Sequence, residues 1–116
     1  MPEIPIIEDN QPTREAYTHL LLSWGYEVSS VASTRQAIHS IQEGRMPDAI
    51  IADYDLGGGD TGVAAIQAVE DLLGTSVSAV MITGEDLLPE LQISTSHKPI
   101  APVQLEEALT GLLAKR

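Results

Sequence analysis

Short clusters of aliphatic and β-branched residues recur along the chain, and between them apolar positions return every three or four residues. That alternation predicts buried strands separated by amphipathic helices. Ile4–Ile7 reads as a first strand despite Pro5 near its start. Pro12 suits the first turn of a helix whose apolar positions are Ala16, Leu20, Leu21 and Trp24, with Gly25 as its stop. Tyr26–Val31 predicts a second strand. Ser33 followed three residues later by Gln36 has the form of a capping box, opening a helix with Ala37, Ile38 and Ile41 inward and Gly44 at its end. Ala49–Ala52 predicts a third strand running straight into Asp53, followed by a glycine-rich loop at Gly57–Gly59. A helix is then expected from about Thr61 to Leu73, and a fourth strand over Ala79–Ile82 that ends at Thr83. Leu87, Leu88 and Leu91 allow one or two helical turns, Ile93–His97 a weak last strand, and Val103 onward a clear amphipathic helix.

Five strands alternating with helices argue for an α/β fold with a doubly wound parallel sheet. Strands without a polar face support it, because helices cover both sides of such a sheet. The length of 116 residues suits one domain over 1–116. In this architecture function gathers in the loops beyond the strand C-termini. That rule selects Glu8–Asp9, Asp53–Gly59, Thr83–Glu85 and the surroundings of Lys98.

Charge narrows the partners. The formal net charge is −11, so direct contact with nucleic acid or an anionic membrane surface is disfavoured. The same acidity suits a divalent cation or a basic partner surface. The chain contains no cysteine, which removes disulfides, thiol catalysis and cysteine-ligated zinc. No segment reaches the roughly 18 apolar residues of a membrane span, and the start has no signal-peptide pattern. A cytoplasmic location is expected.

Glu8, Asp9 and Asp53 should meet at one end of the sheet. Carboxylates so placed stay ionised together only with a cation near them, and a hard divalent ion, Mg²⁺ by preference, fits oxygen donors. Lys98 would add a mobile positive charge, Thr83 a hydroxyl, and Gly84 an unobstructed approach. Together these are the parts of a phosphoryl-transfer site built on a carboxylate nucleophile. Each residue also has a bland reading: Asp53 as a helix cap, Glu8–Asp9 as acids favoured by a helix dipole, Thr83 as a strand end, Lys98 as a surface lysine.

The segments Ile6-Ile7-Glu8-Asp9-Asn10, Ile50-Ile51-Ala52-Asp53-Tyr54-Asp55-Leu56, Met81-Ile82-Thr83-Gly84-Glu85 and His97-Lys98-Pro99-Ile100 together resemble the receiver domain of two-component response regulators. The run Asp53-Tyr54-Asp55-Leu56 followed by glycines, and His97-Lys98-Pro99 before the last helix, look most like receivers attached to hybrid sensor histidine kinases. The resemblance implies a flavodoxin-like sheet of order 2-1-3-4-5 and a phosphoacceptor role for Asp53. It implies Mg²⁺, or Mn²⁺ in its place, held by Asp9, Asp53 and the backbone carbonyl of Asp55, with Glu8 acting through water. Thr83 and Lys98 would meet the phosphoryl oxygens, Gly84 and Glu85 would modulate the site, and Lys98–Pro99 is a candidate cis peptide. The implied partner is a histidine kinase or phosphotransfer domain, and a dimer is compatible with the family.

Three departures stand out. Glu8 replaces the first of the usual two aspartates. The stretch from Thr83 to Lys98 is several residues short, so the fourth helix is expected to be shortened or absent. Thr95 occupies the place of the usual switch aromatic. These departures keep an alternative open: a pseudo-receiver that binds a protein without phosphoryl turnover. A small phosphohydrolase would need a general acid and a substrate pocket, neither of which is visible. Any catalysis would be self-phosphorylation and autodephosphorylation, not independent metabolic turnover.

Overall fold

Apolar side chains on both faces of the central strands decide the architecture. The computed structural model describes residues 2–83, 94–97 and 102–114. Its elements are β1 (Glu3–Ile7), α1 (Gln11–Ser23), β2 (Glu27–Val31), α2 (Thr34–Gln42), β3 (Ile50–Asp53), β4 (Asp55–Gly57), β5 (Asp60–Thr61), α3 (Gly62–Leu73), β6 (Ala79–Thr83), β7 (Ser94–His97) and α4 (Pro102–Ala114). Five strands form one parallel sheet in the order β2-β1-β3-β6-β7. Counted among themselves, these strands run 2-1-3-4-5, the expected order. Strands β4 and β5 make a separate antiparallel pair.

Because strand side chains alternate between faces, the sheet builds two cores. Ile4, Ile6, Ile51, Val80 and Ile82 meet Tyr17 and Leu21 of α1 and Leu105 and Leu109 of α4. Ile7, Ile50, Ala52, Ala79 and Met81 meet Ala37 and Ile41 of α2 and Ala65, Ile66 and Val69 of α3. Each fully buried aliphatic side chain contributes roughly 1.5–3 kcal/mol relative to exposure. The edge strand β2 (Glu-Val-Ser-Ser-Val) is correspondingly more polar and less buried. Pro5 is tolerated in β1 because the register with β3 begins only at Ile6, one residue beyond the proline that has no N–H to donate.

Side chains cap three of the helix starts. Asn10 caps α1 through its side chain to Thr13 N, with proline in the first turn. Ser33 Oγ accepts from Gln36 N, while the Gln36 side chain reaches back to Ala32 N, one residue earlier than in an ideal capping box. Thr61 caps α3 by accepting from Ala64 N, which places the start of that helix at Gly62.

One expectation needs correction. The glycines at 57–59, expected in a loop, belong to a short antiparallel hairpin. They turn a hairpin in which Asp55 pairs with Thr61 and Gly57 with Asp60. Their φ values of 80°, 59° and 86° lie where side chains are disfavoured, and positive φ at both central residues is what a two-residue type I′ turn requires. The shortened fourth helix was expected within 84–93, which lies outside the described residues.

Candidate functional site

The C-terminal ends of β1 and β3 lie side by side, with Ile7 opposite Ala52 in register. Glu8 and Asp9 follow β1 directly, and Asp53 ends β3. One carboxylate oxygen from each of Glu8, Asp9 and Asp53 falls within 4.8 Å of the others. Glu8 is 1% exposed and Asp53 8%, whereas Asp9 faces solvent. The three acids inferred from sequence therefore do converge.

The backbone around them is tightly specified. Glu8 N donates to Val31 O at 3.0 Å, and Glu8 Oε1 accepts from Asn10 N at 3.2 Å. Arg14 Nη1 donates to the Glu8 carbonyl at 2.8 Å, bracing the β1–α1 turn. On the other side, Tyr54 N donates to Ile82 O and Gly62 N to Tyr54 O, fixing the chain just past Asp53. Gly62 approaches so closely that a Cβ there would overlap the Asp53 carbonyl oxygen. A Cβ at Gly57 would sit 3.2 Å from Asp9 Oδ2, so the hairpin leans against the exposed acid.

Among the described residues this is the one His, Asp and Glu cluster with metal-ligand spacing. Three hard oxygen donors converging from two strands fit a hard divalent cation such as Mg²⁺, and offer nothing to a soft thiophilic metal. Ionised carboxylates at this separation repel by roughly a few kcal/mol per pair at the effective dielectric of a protein surface. A cation at their centre reverses that sign. Asp55 follows Asp53 by two residues and begins β4, and its side chain accepts from Gly57 N at 2.9 Å.

Thr83 ends β6, and its register partner is His97 of β7. Asp53 pairs with Ile82, so the last residue of β6 belongs to the same sheet end as the acids. Thr95 lies within β7, opposite Met81. Lys98, Gly84, Glu85 and the Lys98–Pro99 peptide fall outside the described residues. Sequence reading missed Gly62, Arg14 and Asp60. The sign of Arg14 was a signal, since a cation near a helix start opposes the macrodipole unless it is held by something else.

A family model described as the response regulator receiver domain matches residues 4–110, and the chain belongs to that family. It is 28% identical over 119 residues to the phosphate regulon transcriptional regulatory protein PhoB of Pseudomonas aeruginosa, covering 97% of this chain and 52% of that protein. The chain thus spans about half the length of that curated relative. A CheY-like receiver domain from Methylobacillus flagellatus superposes with a TM-score of 0.84 at 27% identity, covering 97% of this chain and 98% of that one. A CheY-like receiver domain protein from Methanospirillum hungatei reaches 0.85 at 21% identity, covering 99% and 95%, a likeness that bears on the fold alone. No described helix is long and apolar enough to cross a membrane.

Proposed function

We propose that this receiver domain accepts a phosphoryl group on Asp53 from a phosphohistidine in a Mg²⁺-dependent reaction, and that the modification shifts the domain between two conformations. The observation that carries the reading is the convergence of Glu8, Asp9 and Asp53 within 4.8 Å at the end of the sheet. Family membership over residues 4–110 supports it.

Asp9, Asp53 and the Asp55 backbone carbonyl would hold the cation, with Glu8 acting through water. When bound, Mg²⁺ neutralises the clustered charge and offsets the charge on the phosphoryl oxygens. The chain's own residues do the rest. An Asp53 carboxylate oxygen attacks phosphorus, the bond from phosphorus to the donor imidazole nitrogen breaks, and an acyl phosphate remains on Asp53. Little covalent chemistry beyond alignment is demanded of the protein. In this reading Lys98 would pair with Asp53 and then with the phosphoryl oxygens, and the Thr83 hydroxyl would donate to them. Water later attacks the acyl phosphate and releases inorganic phosphate, restoring the carboxylate.

The donor in this reading is a histidine kinase or a phosphotransfer domain, with the hybrid-kinase-like segments around Asp53 and Lys98 as its basis. The added charge and acceptor oxygens would bias a two-state element. Thr95 in β7 provides no aromatic ring for that step.

The test is incubation with MgCl₂ and acetyl phosphate followed by intact-mass measurement. Wild type is expected to gain one phosphoryl group, EDTA to abolish the gain, and Asp53→Asn to lack it. A domain that binds Mg²⁺ yet never gains mass would instead be a protein-binding pseudo-receiver. Equal gain in Asp53→Asn would remove Asp53 from the chemistry.

A further inference from the structure

The β4–β5 hairpin is anchored at two places. At its base, Gly62 N donates to Tyr54 O at 2.8 Å. Near its tip, Asp60 leaves the hairpin and grips the start of α2. Asp60 Oδ1 accepts from Thr34 Oγ1 at 2.8 Å, and Oδ2 accepts from Thr34 N at 3.1 Å. Oδ1 also accepts from Thr61 N at 3.0 Å. The clasp joins residues 26 apart in sequence and is partly buried. Ser33 satisfies Gln36 N, whereas Asp60 takes both the first-turn amide and the hydroxyl of Thr34, so the contact closes an open helix amide and ties the hairpin to α2 at the same time.

What the clasp holds is informative. Asp60 pairs with Gly57, and Gly57 is the residue that leans on Asp9. Thr61 pairs with Asp55. Restraining β5 therefore restrains both the residue whose carbonyl is read as a cation ligand and the glycine beside the exposed acid. Three consecutive glycines at the turn make the hairpin poor at holding itself, since glycine loses the most conformational freedom on ordering. An external tether supplies that restraint.

We propose that Asp60 is a positioning residue for the acidic site, acting through Thr34 to hold the Asp55–Gly57 segment against Asp9. This rests on the reading of Glu8, Asp9 and Asp53 as a Mg²⁺ site. It assigns to α2 a part in metal affinity although that helix contributes no ligand. Groups that orient ligands from behind typically change affinity by about 10–100-fold when removed, and a tether acting through Gly57 and Thr61 belongs at the lower end.

The experiment titrates MgCl₂ alone into the whole domain by calorimetry, and separately follows amide hydrogen exchange in EDTA. Asp60→Ala is expected to bind Mg²⁺ about tenfold more weakly and to expose the Gly57 and Thr61 amides to faster exchange, with β3 unchanged. Asp60→Asn, which keeps an acceptor oxygen, recovers most of the affinity. Thr34→Val weakens binding less, and the double variant Asp60→Ala with Thr34→Val is no weaker than Asp60→Ala. Ser33→Ala serves as the control, because it uncaps α2 without touching the hairpin. It should lower stability and leave Mg²⁺ affinity at the wild-type value. Wild-type affinity in Asp60→Ala, or an equal loss in Ser33→Ala, overturns the inference and leaves the site reading intact. Failure of wild type itself to bind Mg²⁺ overturns both.

Discussion

Gly62 and Asp53 are packed backbone to backbone: the first residue of α3 lies against the carbonyl oxygen of the last residue of β3, with no room for a Cβ. The close approach lets Gly62 N reach Tyr54 O, and it sets where the Asp53 side chain leaves the sheet.

Gly62→Ala should therefore destabilise the fold. Helix propensity alone would favour alanine by up to about 1 kcal/mol. Overpacking against a carbonyl costs about 1–3 kcal/mol and is expected to win. Urea denaturation decides the sign, and phosphoryl uptake from acetyl phosphate should fall in parallel because Asp53 is displaced. A more stable Gly62→Ala variant would show that the contact relaxes without strain.

Neutralising one acid should separate stability from binding. Asp9 is the exposed member of a three-carboxylate cluster, and without a cation it repels the other two. Asp9→Asn is expected to stabilise the metal-free domain modestly and to abolish Mg²⁺ binding. Denaturation in EDTA and calorimetry with MgCl₂ measure the two effects independently. A less stable Asp9→Asn in EDTA would mean that the cluster is not strained by charge.

Saturating Mg²⁺ should raise the melting temperature of wild type. A ligand present at 100 times its dissociation constant adds about 2.7 kcal/mol to the folded state. Differential scanning calorimetry with and without EDTA should detect that shift, and Asp9→Asn should lack it. Calcium of equal concentration tests whether the site prefers a small six-coordinate ion.

Loss of the α1 cap should weaken the turn that presents Glu8 and Asp9. Asn10→Ala removes the acceptor of Thr13 N and is expected to cost about 1 kcal/mol. Thermal denaturation reads the cost. Mg²⁺ affinity should fall only slightly, because Arg14 and Val31 still hold Glu8.

The strands were legible because their environment leaves one solution. Ile50, Ile51 and Ala52 are apolar in succession, and only a strand covered on both faces buries all of them. The acids were legible because their positions follow from strand ends: Asp9 two residues past β1, Asp53 at the end of β3. The hairpin was not. Gly-Gly-Gly-Asp reads as turn chemistry, and what orders it is Thr34, 26 residues away from Asp60. No local pattern encodes that partner. Gly62 carries no local signal, since a glycine required by close backbone approach has the same spelling as one that is merely tolerated. Gln36 shows a finer limit: the capping signature located the start of α2, yet its side chain chose the amide of Ala32 over that of Ser33.

Strand β2 forms one margin of the sheet, hydrogen-bonded to β1 alone, and its exposed positions are Glu27 and Ser30. Ser30 is tied to Thr18 of α1 by a short hydroxyl contact, while the Ser29 hydroxyl is enclosed without a partner. Long flat margins rich in valine or isoleucine recruit other chains and seed aggregates. A border of five residues, with a charged Glu27 exposed on it, offers a smaller template for such pairing.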